Sequence, residues 1–185
     1  RKQEIKDNLP TMITAALPYC QGAKGYQMVL AGAPSIDDDY YSLILKGQPV
    51  TKVNEETYQL LSHATVALVT SGTATLETAL LGVPQVVCYK TPVGPLIRWA
   101  FNHIIHCRFI SLVNLIADKE IVTELFADRF SVKNIRHELD RILPGQPDRA
   151  TMLQGYQLVA ERLGKQSAPD TAAKEMIEIL KQSAR

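Results

Sequence analysis

Cysteine, aromatic side chains and charge imbalance are all scarce in this chain, and each scarcity closes off a class of explanation. Its three cysteines, Cys20, Cys88 and Cys107, are odd in number and far apart in 185 residues. They do not make a disulfide framework, and Cys88 lies in an apolar strand-like run, ordinary usage for a reducing compartment. Lys and Arg total 20 against 19 Asp and Glu, a net charge of +1, so nothing demands nucleic acid or an acidic partner. No apolar run approaches the length of a bilayer span, and no signal-like segment opens the chain. Repeats and low-complexity tracts are missing too. What remains is enough length for one well-buried domain with or without an appendage. The chain opens on Arg1 in mid-pattern rather than on Met, and we expect a piece of a longer polypeptide.

One stretch organises the rest. Val66-Ala-Leu-Val-Thr70 is a short apolar run of the kind found inside parallel sheets. Ser71-Gly-Thr73 is a break of small residues, and residues 74–81 read as a helix closed by Gly82 and Pro84. A strand, a small-residue turn and a helix start aim free backbone N–H groups and the positive end of a helix dipole at one point, a seat for an anion such as phosphate. Glu77 sits one turn into that helix, within reach of a sugar hydroxyl beside such a phosphate. The competing reading is a plain helix cap, since Ser and Thr cap helices and an acid is favoured in the first turn. Against pure capping, the residues three after Ser71 and Thr73 are Ala74 and Leu76, so Glu77 is off register for a capping box. Spacing alone leaves the two readings level.

Apolar spacing predicts a helix over residues 2–19, with Pro10 kinking it or moving its start to near Asn8. Strands follow at 26–31, 49–53 and 85–89. Helices are expected from a cap at Ser35 to Lys46 and from a cap at Asn54 to Ser62. The acidic trio Asp37, Asp38 and Asp39 suits a helix dipole better than a metal, because adjacent helical residues do not face one ligand. The alternation predicts an α/β fold: one Rossmann-like parallel sheet with helices on both faces and right-handed crossovers. Ligands in such folds bind beyond the carboxyl ends of the strands, where Arg1, Gly32, Ser71 and Lys90 fall. Residues 96–105 form an amphipathic helix with a Trp, better read as core than as a membrane-surface element. His103, His106 and Cys107 have metal-like spacing but no fourth ligand nearby. Residues 108–118 form an apolar segment interrupted by Ser111 and Asn114. A polar amide inside such a run is usually a turn or a helix cap, and can also be a hydrogen-bonding group facing a pocket. Helices over 119–125 and 132–143 complete the sheet's cover, giving a domain over 1–144. A helical tail over 145–185 carries stretches at 148–163 and 169–181, and must dock on something.

Three blocks in order, Ser71-Gly-Thr-Ala-Thr-Leu-Glu77, Leu81-Gly-Val-Pro-Gln-Val-Val-Cys-Tyr-Lys90 and Ile110-Ser-Leu-Val-Asn-Leu-Ile-Ala117, resemble the C-terminal half of the lipid-A-disaccharide synthase family. Arg1-Lys-Gln-Glu-Ile5 resembles the family's segment just after a glycine-serine phosphate loop. The resemblance implies the nucleotide-binding half of a GT-B glycosyltransferase, its first strand and acceptor-binding half lying upstream. It implies transfer of a diacylated glucosamine from UDP to a diacylated glucosamine 1-phosphate, with no cofactor and no metal. It further implies cytoplasmic work at the inner-membrane surface, and a homodimer made by exchanging C-terminal helices.

Carried onto this chain, the resemblance implies a substrate-binding set. Ser71, Gly72, Thr73 and Ala74 would meet the diphosphate, Arg1 would spread its charge, and Glu77 would hold the ribose. Tyr89 and Lys90 would shape the pocket, and Asn114 would project into the cleft. No catalytic residue is expected in this half, because the general base belongs to the upstream one. Other readings are a different GT-B enzyme of UDP-GlcNAc, such as the transferase making a peptidoglycan lipid intermediate or a 2-epimerase, and a non-catalytic UDP-binding module.

Overall fold

The structure is a computed structural model that describes residues 2–21, 25–70, 72–90, 108–164, 176–177 and 179–181. Its first helix, α1 (Lys2–Ala16), continues through Pro10, where the sequence predicts a kink or a later start. Pro10 is exposed while Leu9, Met12 and Ile13 are buried. The one backbone bond the ring removes therefore faces water, and the buried stripe holds both sides of it. Strands β1 (Met28–Gly32) and β2 (Val50–Asn54) pair in parallel, from Met28 opposite Val50 to Gly32 opposite Asn54. Strands β3 (Ala67–Val69), β4 (Gln85–Tyr89) and β5 (Glu124–Phe126) form a second parallel sheet in that order.

The single sheet predicted from the alternation is thus two parallel sheets, with no ladder joining β1 to β3 among the described residues. One helix spans both. Leu9 and Ile13 of α1 pack with Met28, Leu30 and Val50, whereas Met12 and Ala15 join the cluster of Val86, Val87 and Cys88.

Other boundaries move for identifiable reasons. Helix α2 (Asp38–Leu45) starts after Asp37 rather than at Ser35, with no side-chain cap bond. Its first turn is held instead by Lys52, whose Nζ lies 2.8 Å from Asp38 Oδ1. Asn54 ends β2 rather than capping α3 (Thr57–His63), and Glu55 makes the turn with φ 57°. The helix predicted over 119–125 does not form. Helix α5 (Leu112–Ala117), which follows α4 (Gly72–Leu80), lies inside the segment that the sequence left unassigned, and Glu124 to Phe126 is a strand. Polar tertiary bonds, described below, override the local pattern there. Residues 96–105 and the His103, His106 and Cys107 group lie outside the described residues.

Helices α6 (Val132–Ile142) and α7 (Pro147–Leu163) close the core. Met152, Tyr156 and Val159 of α7 belong to the same buried cluster as Val86, Cys88, Leu125 and Ile135, so the first part of the tail docks on the sheet. Gly155 explains the closeness of that contact: a Cβ there would lie 2.5 Å from Ile121 Cγ2. Further on, residues 176–177 and 179–181 are helical, and Met176, Ile177, Ile179 and Leu180 are exposed.

Tyr19, just after α1, ties the N-terminal helix to α6. Its hydroxyl lies 2.7 Å from Asp140 Oδ1 and 3.2 Å from Arg136 O. Burial, then the Asp140 carboxylate, push its ionisation well above the ordinary phenol range. A group whose folded pKa is raised stabilises the fold below its unfolded value and loses that contribution as pH rises through the folded value. Thermal melts are therefore expected to fall more steeply above about pH 10 in the wild type than in Tyr19→Phe. Parallel curves for the two proteins would refute this coupling.

Candidate functional site

Helix α4 begins two residues earlier than its apolar pattern indicates, at Gly72. Its two faces do different work. Thr75 and Thr78 are fully buried, and their hydroxyls donate back to Gly72 O and Ala74 O. From beneath, Gln85 Nε2 donates to Thr75 O at 2.9 Å and to Tyr156 Oη at 3.3 Å, and that phenol in turn donates to Val83 O at 3.0 Å. The helix start is thereby fixed on β4 and α7. On the other face Gly72 and Thr73 are exposed, and Ala74 and Glu77 are half-buried. Thr73 and Glu77, four residues apart, share that face one turn from each other. Among the described residues the Glu77 carboxylate has no hydrogen bond or ion pair. Ser71 and Arg1 lie outside the described residues.

Gly32, at the end of β1, and Gly72, at the head of α4, stand in different surroundings. A Cβ on Gly32 would lie 2.5 Å from Asn54 Oδ1 and 3.3 Å from Val53 O, so a side chain there enters only if Asn54 shifts. Among the described residues, a Cβ on Gly72 would meet only Leu112 Cγ, at 4.0 Å. No described residue demands a glycine at the head of α4, and a backbone without a side chain lets a ligand approach it.

Tyr89 and Lys90 close the carboxyl end of β4, the strand beside β3. Since Val69 pairs with Val87, they stand one strand over from the turn into α4. Tyr89 is half-buried and Lys90 exposed, and the Lys90 ammonium has no ion-pair partner among the described residues. Asn8 was not singled out by sequence. It is buried on α1, and its Oδ1 accepts from Lys90 N at 2.7 Å, fixing where β4 ends. A buried polar residue amid a helix's apolar stripe was the available signal.

Asn114 does not project into a cleft. It is 0% exposed, and its amide is consumed internally. Nδ2 donates to Val122 O at 2.8 Å and Glu124 Oε1 at 2.9 Å, while Oδ1 accepts from Ile121 N at 2.7 Å and Val122 N at 3.0 Å. Ser111 caps α5 by accepting from Asn114 N and donates its hydroxyl to Glu124 Oε1 at 2.7 Å. Asn114, expected in the cleft, thus joins Ser111 in a closed loop between α5 and β5. Among the described residues no group of three His, Cys, Asp or Glu side chains could hold a metal ion.

Among the described residues the arrangement is an exposed helix start with a carboxylate one turn on, and an ammonium without an ion-pair partner at the carboxyl end of the neighbouring strand. A sequence profile of the lipid-A-disaccharide synthetase family matches residues 1–177. The chain belongs to this family. Lipid-A-disaccharide synthase of Myxococcus xanthus is 34% identical over 183 residues, 97% of this chain and 47% of that protein. The enzyme of the same name from Syntrophus aciditrophicus is 35% identical over 187 residues, 99% of this chain and 48% of that protein. The chain spans about half the length of the curated relatives it matches. The solved structure of CalG4, the calicheamicin glycosyltransferase, superposes with a TM-score of 0.53 at 18% identity, covering 95% of this chain and 40% of that one. This likeness concerns the fold: parallel strands with covering helices, as in the nucleotide-binding half of GT-B proteins. No helix among the described residues is long and apolar enough to cross a membrane.

Proposed function

We propose that this chain is the nucleotide-sugar-binding half of a hexosyltransferase. The transferase moves 2,3-diacylglucosamine from UDP to 2,3-diacylglucosamine 1-phosphate, giving lipid A disaccharide and UDP. The observation that carries the reading is the head of α4, with Gly72 and Thr73 exposed and Glu77 on the same face without a partner among the described residues. Backbone N–H groups at Gly72, Thr73 and Ala74, with Ser71, hold the diphosphate as charge develops on the departing oxygen. Glu77 accepts from the ribose hydroxyls. Lys90 and Arg1 spread the remaining negative charge, and Tyr89 borders the base or sugar. The aspartate that deprotonates the acceptor hydroxyl comes from the other half of the protein, so this chain alone binds UDP weakly and does not turn over.

Calorimetry with UDP and ADP on the wild type and Glu77→Ala tests this. Preference for UDP, weakened about tenfold or more by the substitution, supports it. Equal affinity for the two nucleotides, or indifference to Glu77, rejects it.

Two structural parts belong to the same reading. One further parallel strand preceding α1, between β1 and β3, fits this reading, because no ladder joins those two among the described residues, α1 packs on both sheets, and a crossover helix covers the strands it joins. The proposed division near residue 144 separates the sheet half from a tail whose first helix docks on it. The exposed apolar side chains at 176–180 then suit a partner copy, in a dimer peripheral to the cytoplasmic face of the inner membrane. Truncation after Leu163 is expected to convert dimer to monomer in sedimentation. A truncated chain that sediments as a dimer would reject the exchange.

A further inference from the structure

We infer that Glu124 is a positioning residue for the nucleotide seat: its buried carboxylate fixes the start of α5 and, through Leu112, the placement of Gly72 and Thr73. The inference deepens the uridine-diphosphate reading and rests on it. Glu124 is 8% exposed, and among the described residues each hydrogen-bond partner of its carboxylate is a donor. Oε2 accepts from Ile110 N at 2.9 Å. Oε1 accepts from Ser111 N at 2.8 Å, Ser111 Oγ at 2.7 Å and Asn114 Nδ2 at 2.9 Å. A carboxylate withdrawn from water costs several kcal/mol unless so satisfied, and these four bonds hold the chain that enters α5.

Two helix starts meet here. Among the described residues, Leu112, the first residue of α5, is the neighbour that a Cβ built at Gly72 would meet, at 4.0 Å. The amides leading into α5, at Ile110 and Ser111, are already taken by the protein's own carboxylate. The head of α4 is exposed, so an incoming anion finds one open seat rather than two. Gln85 holds α4 from beneath through Thr75 O, and Glu124 sets the wall beside it through α5. The register Val69–Val87–Glu124 places that carboxylate level with the last residue of β3, where the chain turns toward the seat.

Glu124→Gln keeps the shape but turns an amide N–H₂ toward groups that are all donors. In the cold, where the variant stays folded, UDP affinity is expected to fall about tenfold. The amide resonances of Gly72 and Thr73 should shift with it. Ile135→Val, in a fully buried site on α6, supplies a stability-matched control that moves neither readout. Should Glu124→Gln not fold, Ser111→Ala, which removes one donor to the carboxylate together with the side-chain cap of α5, is read in the same way. A lowered melting temperature with unchanged UDP affinity and unchanged Gly72 and Thr73 resonances overturns the positioning role. If the wild type itself ignores UDP, the nucleotide reading fails, and the resonances alone decide the role of Glu124.

Discussion

Replacing Gly72 with aspartate is expected to abolish detectable UDP binding while leaving the fold as stable as before, or slightly more so. The two effects have opposite signs because one feature of α4 produces both. A carboxylate at a helix start gains from the dipole, by about 0.3–1 kcal/mol, and loss of a helical glycine adds a little more. Among the described residues nothing obstructs the new side chain, whose Cβ meets only Leu112 Cγ, at 4.0 Å. The same carboxylate then occupies the anion seat and repels the diphosphate. An affinity loss of about a hundredfold or more follows from a like charge held within a few ångströms. Parallel denaturation and UDP titration curves check both halves. A variant that binds UDP normally would place the diphosphate elsewhere, and a variant that fails to fold would show that Gly72 is needed for packing after all.

The converse behaviour is expected at Asn114. Asn114→Ala removes four hydrogen bonds at once and leaves Ile121 N, Val122 N and Val122 O without their partner in a site that is 0% exposed. It also takes one donor from the Glu124 carboxylate. Buried groups left unsatisfied cost more than the bonds themselves contribute, so a loss of about 3–5 kcal/mol is expected. That is a large share of a typical domain's stability. Equilibrium unfolding in urea measures it directly. A loss below about 1 kcal/mol would mean that water replaces the amide, and that the α5–β5 loop is looser than its geometry indicates.

These two positions also mark what a reader of the sequence could and could not find. The joint from β3 into α4 was legible because its signals are local. A short apolar run, a break of small residues and an acid one turn into the helix lie within a dozen positions. Asn114 was found but given the wrong task. Its partners are the backbone of Ile121 and Val122 and the carboxylate of Glu124, and no local pattern tells an amide that faces a ligand from one that closes a loop. The same blindness turned β5 into a helix. A short run such as Glu124 to Phe126 becomes a strand because β4 offers an edge, with Tyr89 opposite Phe126, and periodicity over three residues carries almost no information. The division of the sheet was likewise hidden, since strand order is a property of the whole fold. Alternation foretold parallel pairing, and pairing is parallel throughout, but it did not say which neighbours meet. The tie from Asn8 to Lys90, 82 residues apart, was invisible for the same reason.

The central claim is that the head of α4 receives the diphosphate of a uridine nucleotide. A titration of UDP into the isotopically labelled chain, followed by backbone amide resonances, addresses it most directly. The account predicts that the amides of Gly72, Thr73 and Ala74 move first and furthest, with smaller shifts at Glu77 and Lys90 and almost none at Asn114. Shifts centred elsewhere in the chain, or none as UDP reaches millimolar concentrations, would contradict it.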